Sequence, residues 1–235
     1  MFLEVKNLNV GYGDVQVLWD VSFSVDKGMI VSLVGANGAG KTTLLKTISG
    51  LIRPMGGEIL FDGKPLTNLS SKEIVGLGIV HVPEGRRLFP DMSVEENLLM
   101  GAYRRGKDPK VADDLERVYE IFPRLKERRK QKSGSLSGGE QQMCAMARGL
   151  MANPELLLVD EMSLGLAPLI VDDLVDIVKA IHKEGTTVFI VEQDVHLALS
   201  NSDYGYVLAT GHIMMEGPSK ELLNNKQIKE VFLGL

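Results

Sequence analysis

Residues Gly35-Ala36-Asn37-Gly38-Ala39-Gly40-Lys41-Thr42-Thr43 fit G-x-x-x-x-G-K-[ST] at every fixed position. The chemistry this spacing serves is the binding of a nucleoside triphosphate. The glycines let backbone N–H groups turn inward and approach an anion closely. Lys41 would reach the β- and γ-phosphates, and the Thr42 hydroxyl would take a Mg²⁺ position. The candidate phosphate-binding set is therefore Gly35, Asn37, Gly38, Ala39, Gly40, Lys41, Thr42 and Thr43. A second group follows the apolar run Leu156 to Val159, which delivers Asp160 and Glu161 at its carboxyl end. In a parallel α/β sheet that end is where ligands lie. Asp160 suits a Mg²⁺ partner, and Glu161 suits a base that orients and deprotonates water. A third group is Leu136-Ser137-Gly138-Gly139-Glu140, ahead of a helical run from Gln141 to Met151. Ser-Gly-Gly opening a helix is itself an anion site, made of backbone N–H groups and the helix dipole. The plainer alternative is a helix with Ser137 as its N-cap.

These residues need elements to hold them. Ile30 to Val34 is an apolar run of strand length, and Thr43 to Ile48 reads as a helix opening, so the glycine loop lies between strand and helix. Before it, Val21, Phe23 and Val25 alternate with serines as in a half-buried strand, and Tyr12 falls in a loop between Gly11 and Gly13. A flat ring there could stack on a nucleotide base. Glu58 to Phe61 and Ile79 to Val82 read as further strands, the second ended by Pro83. Ser70–Glu73 and Ser93–Glu96 have capping-box spacing, the latter opening a helix toward Gly101. Leu115, Val118, Ile121 and Phe122 mark one helical face within 110–122. Pro168 suits a first helical turn, with Val171, Leu174, Val175, Val178 and Ile181 as its buried stripe and Gly185 as its stop. Thr187 to Val191 is the next buried strand and delivers Glu192, Gln193 and Asp194; residues 204–235 read as two short strands and a terminal helix or two.

Composition narrows the classes. The 235 residues are 44% hydrophobic and 24% charged, as in an ordinary soluble globule, and the net charge of −5 argues against a general nucleic-acid partner. No apolar run approaches the ~20 residues of a membrane span. Met1 to Lys6 carries an early acid and no long apolar stretch, so no signal peptide is expected. The single cysteine, Cys144, lies in an apolar stretch and reads as a buried small residue. The cationic run Arg124 to Lys132 reads as a solvated helix end, or as a surface near lipid headgroups or a membrane partner, ahead of a nucleic-acid contact as the weaker alternative.

With these motifs together, the chain resembles the ATP-binding subunit of an ABC transporter over essentially its full length. Tyr12 matches the family's base-stacking aromatic, Gly35 to Thr43 its P-loop, Leu136 to Glu140 its signature, Leu156 to Asp160 its Walker B strand, and Glu161 its catalytic glutamate. The resemblance implies an α/β fold: a P-loop NTPase core with a mainly parallel sheet, an N-terminal antiparallel β subdomain and a helical insertion. The expected division is one ABC ATPase domain over 1–235, with core residues about 1–92 and 151–235 and a helical subdomain at 93–150. It also implies ATP and Mg²⁺ as cofactors, and places Ser137, Gly138, Gly139 and Glu140 on nucleotide bound by a second ATP-binding subunit, the same chain or a paralogue. Three departures stand out. Glu84 occupies the place of the glutamine-loop residue and becomes a candidate metal contact beside Thr42 and Asp160. The loop after Glu161 reads Ser163 to Pro168 without the usual aspartate. Gln193 stands where the switch histidine is expected, with His196 three positions later. Together these resemble the ATPases of high-affinity branched-chain amino-acid importers, and related importers for urea or other amides share them. That implies transmembrane permease subunits, indirectly a solute-binding protein, and a peripheral place on the cytoplasmic face of the cell membrane. The rival readings are a soluble ABC ATPase of assembly or translation and a non-hydrolysing nucleotide-gated module; Glu161 opposes the second.

Overall fold

The computed structural model describes residues 1–228; the part of the expected terminal helix beyond Ile228 lies outside the described residues. From the N-terminus, β1 (Leu3–Tyr12), β2 (Val15–Val25) and β3 (Ile30–Val34) lead into α1 (Lys41–Ile48). β4 (Gly56–Phe61), β5 (Lys64–Pro65) and α2 (Ser71–Gly76) follow. After β6 (Ile79–Val82) come α3 (Val94–Gly101), α4 (Lys110–Ile121), α5 (Pro123–Glu127) and α6 (Gly138–Leu150). Next are β7 (Leu156–Asp160), α7 (Pro168–Lys183), β8 (Thr187–Glu192) and α8 (Val195–Ser200). β9 (Tyr204–Ala209), β10 (His212–Pro218), α9 (Ser219–Asn224) and α10 (Lys226–Ile228) complete the described chain.

The chain divides into two compact units: Met1–Ile74 with the segment from Thr187 onward, and Val75–Thr186. The first unit holds two sheets. One is antiparallel, in the order β2-β1-β4-β5. In the other, β3 runs parallel to both β8 and β9, and β10 pairs antiparallel with β9 at the edge. β3 and β8 are buried at every residue, which is why their sequences are mostly apolar with no alternation, Ser32, Thr187 and Glu192 being the buried polar exceptions. β1 and β2 do not keep a clean period of two, because their pairing shifts register between Val5 and Leu8 and again near Val10. Tyr12 is the last residue of β1, at the hairpin into β2, and not a loop residue as the flanking glycines predict.

The second unit is built on β6 and β7, a parallel pair with Val82 beside Val159. α6 lies on this unit's strands and against α3, and the close approach needs glycine. A Cβ on Gly101 would stand 1.9 Å from the Arg148 carbonyl oxygen, and one on Gly149 would stand 2.9 Å from Val82 Cγ2. α7 buries Leu174, Val175, Ile177, Val178 and Ile181, with Val171 only half-buried. Asn97 is fully buried on α3; its amide donates to Ser133 Oγ and to the Phe89 carbonyl, and accepts from Phe89 N–H. That one side chain ties the loop after β6 to the segment that leads into α6. Among the described residues no helix is long and apolar enough to cross a membrane.

Candidate nucleotide site

In the first unit the cradle grows out of β3. Gly35 follows its last residue and packs so closely on β9 that a Cβ would sit 2.3 Å from the Leu208 carbonyl oxygen. Ala36, Asn37 and Gly38 are exposed, while Ala39 and Gly40 turn back into the core. Gly40 is the N-cap of α1, with φ 109°, a conformation closed to L side chains. α1 therefore starts without a side-chain cap and without an acid in its first turn. Helix starts normally satisfy their N–H groups with such groups. Here neither is present, and the positive end of the helix dipole is of the sign that favours an anion. Lys41 is 4% exposed, and its ammonium donates to the carbonyls of Gly35 (2.9 Å) and Ala36 (3.2 Å), so the cation already lies folded over the loop. Thr42 is half-buried in the same turn, and Thr43 is buried with its Oγ1 3.4 Å from the hydroxyl of Tyr12. Tyr12 is 49% exposed, so its ring stands open beside the first turn of α1. That is a fit for a base attached to phosphates held by the loop.

The same unit carries the end of β8. Glu192 lies beside Val34 in the parallel register, so Gln193 leaves β8 where Gly35 leaves β3. Gln193 is exposed and makes no cap. Asp194 is the N-cap of α8 and accepts from Leu197 N–H at 2.9 Å. His196 is exposed on α8, its Nδ1 3.5 Å from Ser200 Oγ.

The second unit carries the remaining candidates. Asp160 closes β7 fully buried, and Glu161 follows half-buried at φ 46°. A left-handed φ at a residue other than glycine is costly and concentrates at functional positions. Glu84 lies in an exposed turn two residues beyond β6, and the pairing of Val82 with Val159 makes Glu84 and Glu161 leave the parallel pair at one end. Ser137 is the N-cap of α6 in a full capping box: its Oγ accepts from Glu140 N–H, and Glu140 Oε2 accepts from Ser137 N–H at 2.9 Å. The spacing Ser137-x-x-Glu140 contains that box, although the glycines draw attention first. Burial would raise the Glu140 carboxyl, but the Ser137 N–H, the Ser137 hydroxyl and the Arg128 guanidinium outweigh it and hold the group below the usual range. Glu140 is thus a fixed anion that shapes the turn. Gly138 and Gly139 are the first two residues of the helix, Gly138 half-buried and Gly139 buried. A Cβ on Gly139 would come within 2.4 Å of Ile170 Cγ2, so the second glycine is also demanded by packing on α7. Among the cations downstream of α4, Arg124 pairs with Asp173, Lys126 with Glu116 and Lys132 with Asp91, all between solvent-exposed side chains, where such pairs contribute little. Cys144 is buried on α6, its thiol pushed up to about 12 by burial, which makes it inert.

Comparison with known proteins identifies the family. Residues 18–163 match the family model described as ABC transporter. The chain belongs to the ABC transporter family. It is an ATPase of that family, whose members bind ATP, and its fold is the α/β P-loop NTPase fold. It is 47% identical over 232 residues, covering 99% of both chains, to the high-affinity branched-chain amino acid transport ATP-binding protein BraG of Pseudomonas aeruginosa. It is 33% identical to the lipopolysaccharide export system ATP-binding protein LptB of Escherichia coli, covering 99% of this chain and 97% of the other. Among solved structures, the ADP conformation of MJ1267, an ATP-binding cassette of an ABC transporter, superposes with a TM-score of 0.88 at 29% identity, covering 100% of this chain and 99% of the other.

Proposed function

We propose that this chain is the ATP-hydrolysing motor subunit of a membrane importer for branched-chain or related amino acids. The observation that carries the reading is the 47% identity over 99% of both chains to BraG, against 33% to LptB. Export of lipopolysaccharide is the second reading that this similarity raises, and the soluble ABC ATPase is a third. Purification of the tagged chain from membranes, with its partners identified by mass spectrometry, separates them. Permease subunits and a peripheral cytoplasmic-face location support import; lipopolysaccharide-export partners, or ribosomes, overturn it.

In this reading the nucleotide base stacks on Tyr12, and Gly35, Asn37, Gly38, Ala39, Gly40 and Thr43 offer backbone N–H groups to the phosphates. Lys41 exchanges its loop carbonyls for phosphate oxygens. The Thr42 hydroxyl and the carboxylates of Asp160 and Glu84 are hard oxygen donors, the set that suits Mg²⁺. When bound, Mg²⁺ neutralises charge developing on the phosphates. Glu161 takes the proton of the attacking water. Ser137, Gly138 and Gly139 serve a γ-phosphate on a second ATP-binding chain, with Glu140 fixing their turn. One chain carries one P-loop and one such turn, so two chains complete two sites.

Ser137→Arg should leave ATP binding to a single chain unchanged and stop turnover, since a bulky cation blocks closure on the partner's nucleotide. Equilibrium binding of a fluorescent ATP analogue and a steady-state assay check the two halves, and unchanged turnover means that the chain works alone. For Gln193, the amide is a donor without a titratable proton, so it senses the γ-phosphate without acting as acid or base. Gln193→Ala should lower kcat by about 10²-fold, the scale of one positioned transition-state donor. Gln193→His should keep much of the activity and gain a pH dependence near neutrality, and His196→Ala should do little. A silent Gln193→Ala beside an inactive His196→Ala would assign the switch to His196.

A further inference from the structure

The loop that leaves β6 is held in an unusual backbone conformation by the helix that carries Ser137–Glu140. Arg86 and Arg87 are successive residues, neither of them glycine, and both take left-handed φ, 65° and 47°. L side chains disfavour that conformation, so partners must impose it. Those partners lie on α6. Arg148 donates through Nη1 to the Arg87 carbonyl (2.7 Å) and through Nη2 to the Arg86 carbonyl (3.2 Å). One planar, always-charged fork thus holds two adjacent carbonyls, which an ammonium group could not match. The Arg148 Cζ also lies 5.6 Å from the centre of the Phe89 ring, fixing the far side of the loop.

Held this way, the Arg86 side chain turns back to the start of α6. Its Nη1 donates to Gln141 Oε1 at 3.0 Å, and a Cβ on Gly138 would stand 3.0 Å from its Nη2. The guanidinium therefore touches α6 at its first residue and one turn later. None of these contacts uses a carboxylate. Gly138 leaves room for Arg86, and Arg86 in turn limits where the Gly138–Gly139 backbone can go.

We infer that Arg86 is a positioning residue for ATP hydrolysis, setting the Ser137-Gly138-Gly139 turn through Gln141, and that Arg148 holds Arg86 in the conformation that does so. This rests on the reading of that turn as phosphate-facing. Backbone donors stabilise a transition state only where they are aimed before the reaction, and a second contact one turn along fixes that aim. Arg87 contributes only its carbonyl.

The test is a double-mutant cycle on the full chain, reading kcat, the affinity for a fluorescent ATP analogue and the melting temperature. Arg86→Ala should lower kcat by about 10²-fold, the scale on which a 1 Å misplacement acts, with nucleotide affinity within about twofold of the unsubstituted chain. Gln141→Ala should reproduce part of that loss, and the double variant should be no worse than Arg86→Ala, because the two act as one unit. Arg148→Met should lower kcat likewise, whereas Arg87→Gly keeps the carbonyl, eases the backbone and should leave kcat unchanged. Full activity in Arg86→Ala, effects of Arg86 and Gln141 that simply add, or a kcat loss that follows the melting temperature across the set would overturn the inference. Ser137→Arg separates the two levels. If it is silent, the phosphate-facing reading itself fails. If it is inactive while Arg86→Ala is active, only the positioning role fails.

Discussion

Glu161→Gln is expected to keep ATP binding and slow hydrolysis by roughly 10²–10⁴-fold, the usual worth of a positioned general base. The substitution is well matched to the site. Glutamine has the shape of glutamate and the same aversion to the left-handed φ of 46° at this position, so the backbone term cancels. What changes is the ability to accept a proton from water. An alanine would remove the whole half-buried side chain as well and would mix two effects. Single-turnover hydrolysis measured beside nucleotide affinity reads the result. Wild-type turnover with unchanged affinity would remove Glu161 from the role of base and leave Asp160, fully buried at the end of β7, as the remaining carboxylate of that strand end.

Lys41→Ala is expected to weaken ATP binding by about 10²-fold, as charge-assisted hydrogen bonds are worth about 3 kcal/mol, and to abolish measurable turnover. The chain should remain folded. Lys41 is nevertheless more than a surface cation, because the residue is buried and its ammonium is bonded to the carbonyls of Gly35 and Ala36. It therefore also holds the loop closed on itself, and the Ala variant should show a more mobile loop, seen as faster amide exchange over residues 35–40. Lys41→Met keeps the aliphatic stem and separates packing from charge: it should melt near the unsubstituted chain and still fail to bind. A folded variant with normal affinity would show that the cradle holds something other than phosphates.

Much of this was legible in the sequence because the signals were local. β3 spans Ile30–Val34 as the apolar run predicts, and the box at Ser93 and Glu96 forms as its spacing predicts. The P-loop, the strand ending at Asp160 and the helix from Gly138 are each contiguous, so a short window contains their whole physics. What stayed hidden is non-local. The fork of Arg148 on the Arg86 and Arg87 carbonyls joins positions about sixty residues apart and depends on two left-handed residues, which no propensity favours. The burial of Lys41 depends on the fold of a loop, not on residue type. β2 begins at Val15, well before the alternation at Val21–Val25, because bulges opposite β1 break the period of two that would have announced it. Tyr12 was legible as an aromatic between glycines, but its contact with Thr43 arises only once the hairpin turns over the start of α1.

Central to the proposed function is the action of the turn at Ser137 on nucleotide held by a second chain. Light scattering on Glu161→Gln tests it directly, because slow hydrolysis lets the ATP-bound state accumulate. The mass should double with ATP and Mg²⁺, remain that of one chain with ADP, and remain that of one chain with ATP when Ser137→Arg is added to Glu161→Gln. A single-chain mass in ATP for Glu161→Gln with bound nucleotide, or a dimer that Ser137→Arg does not disturb, would contradict it.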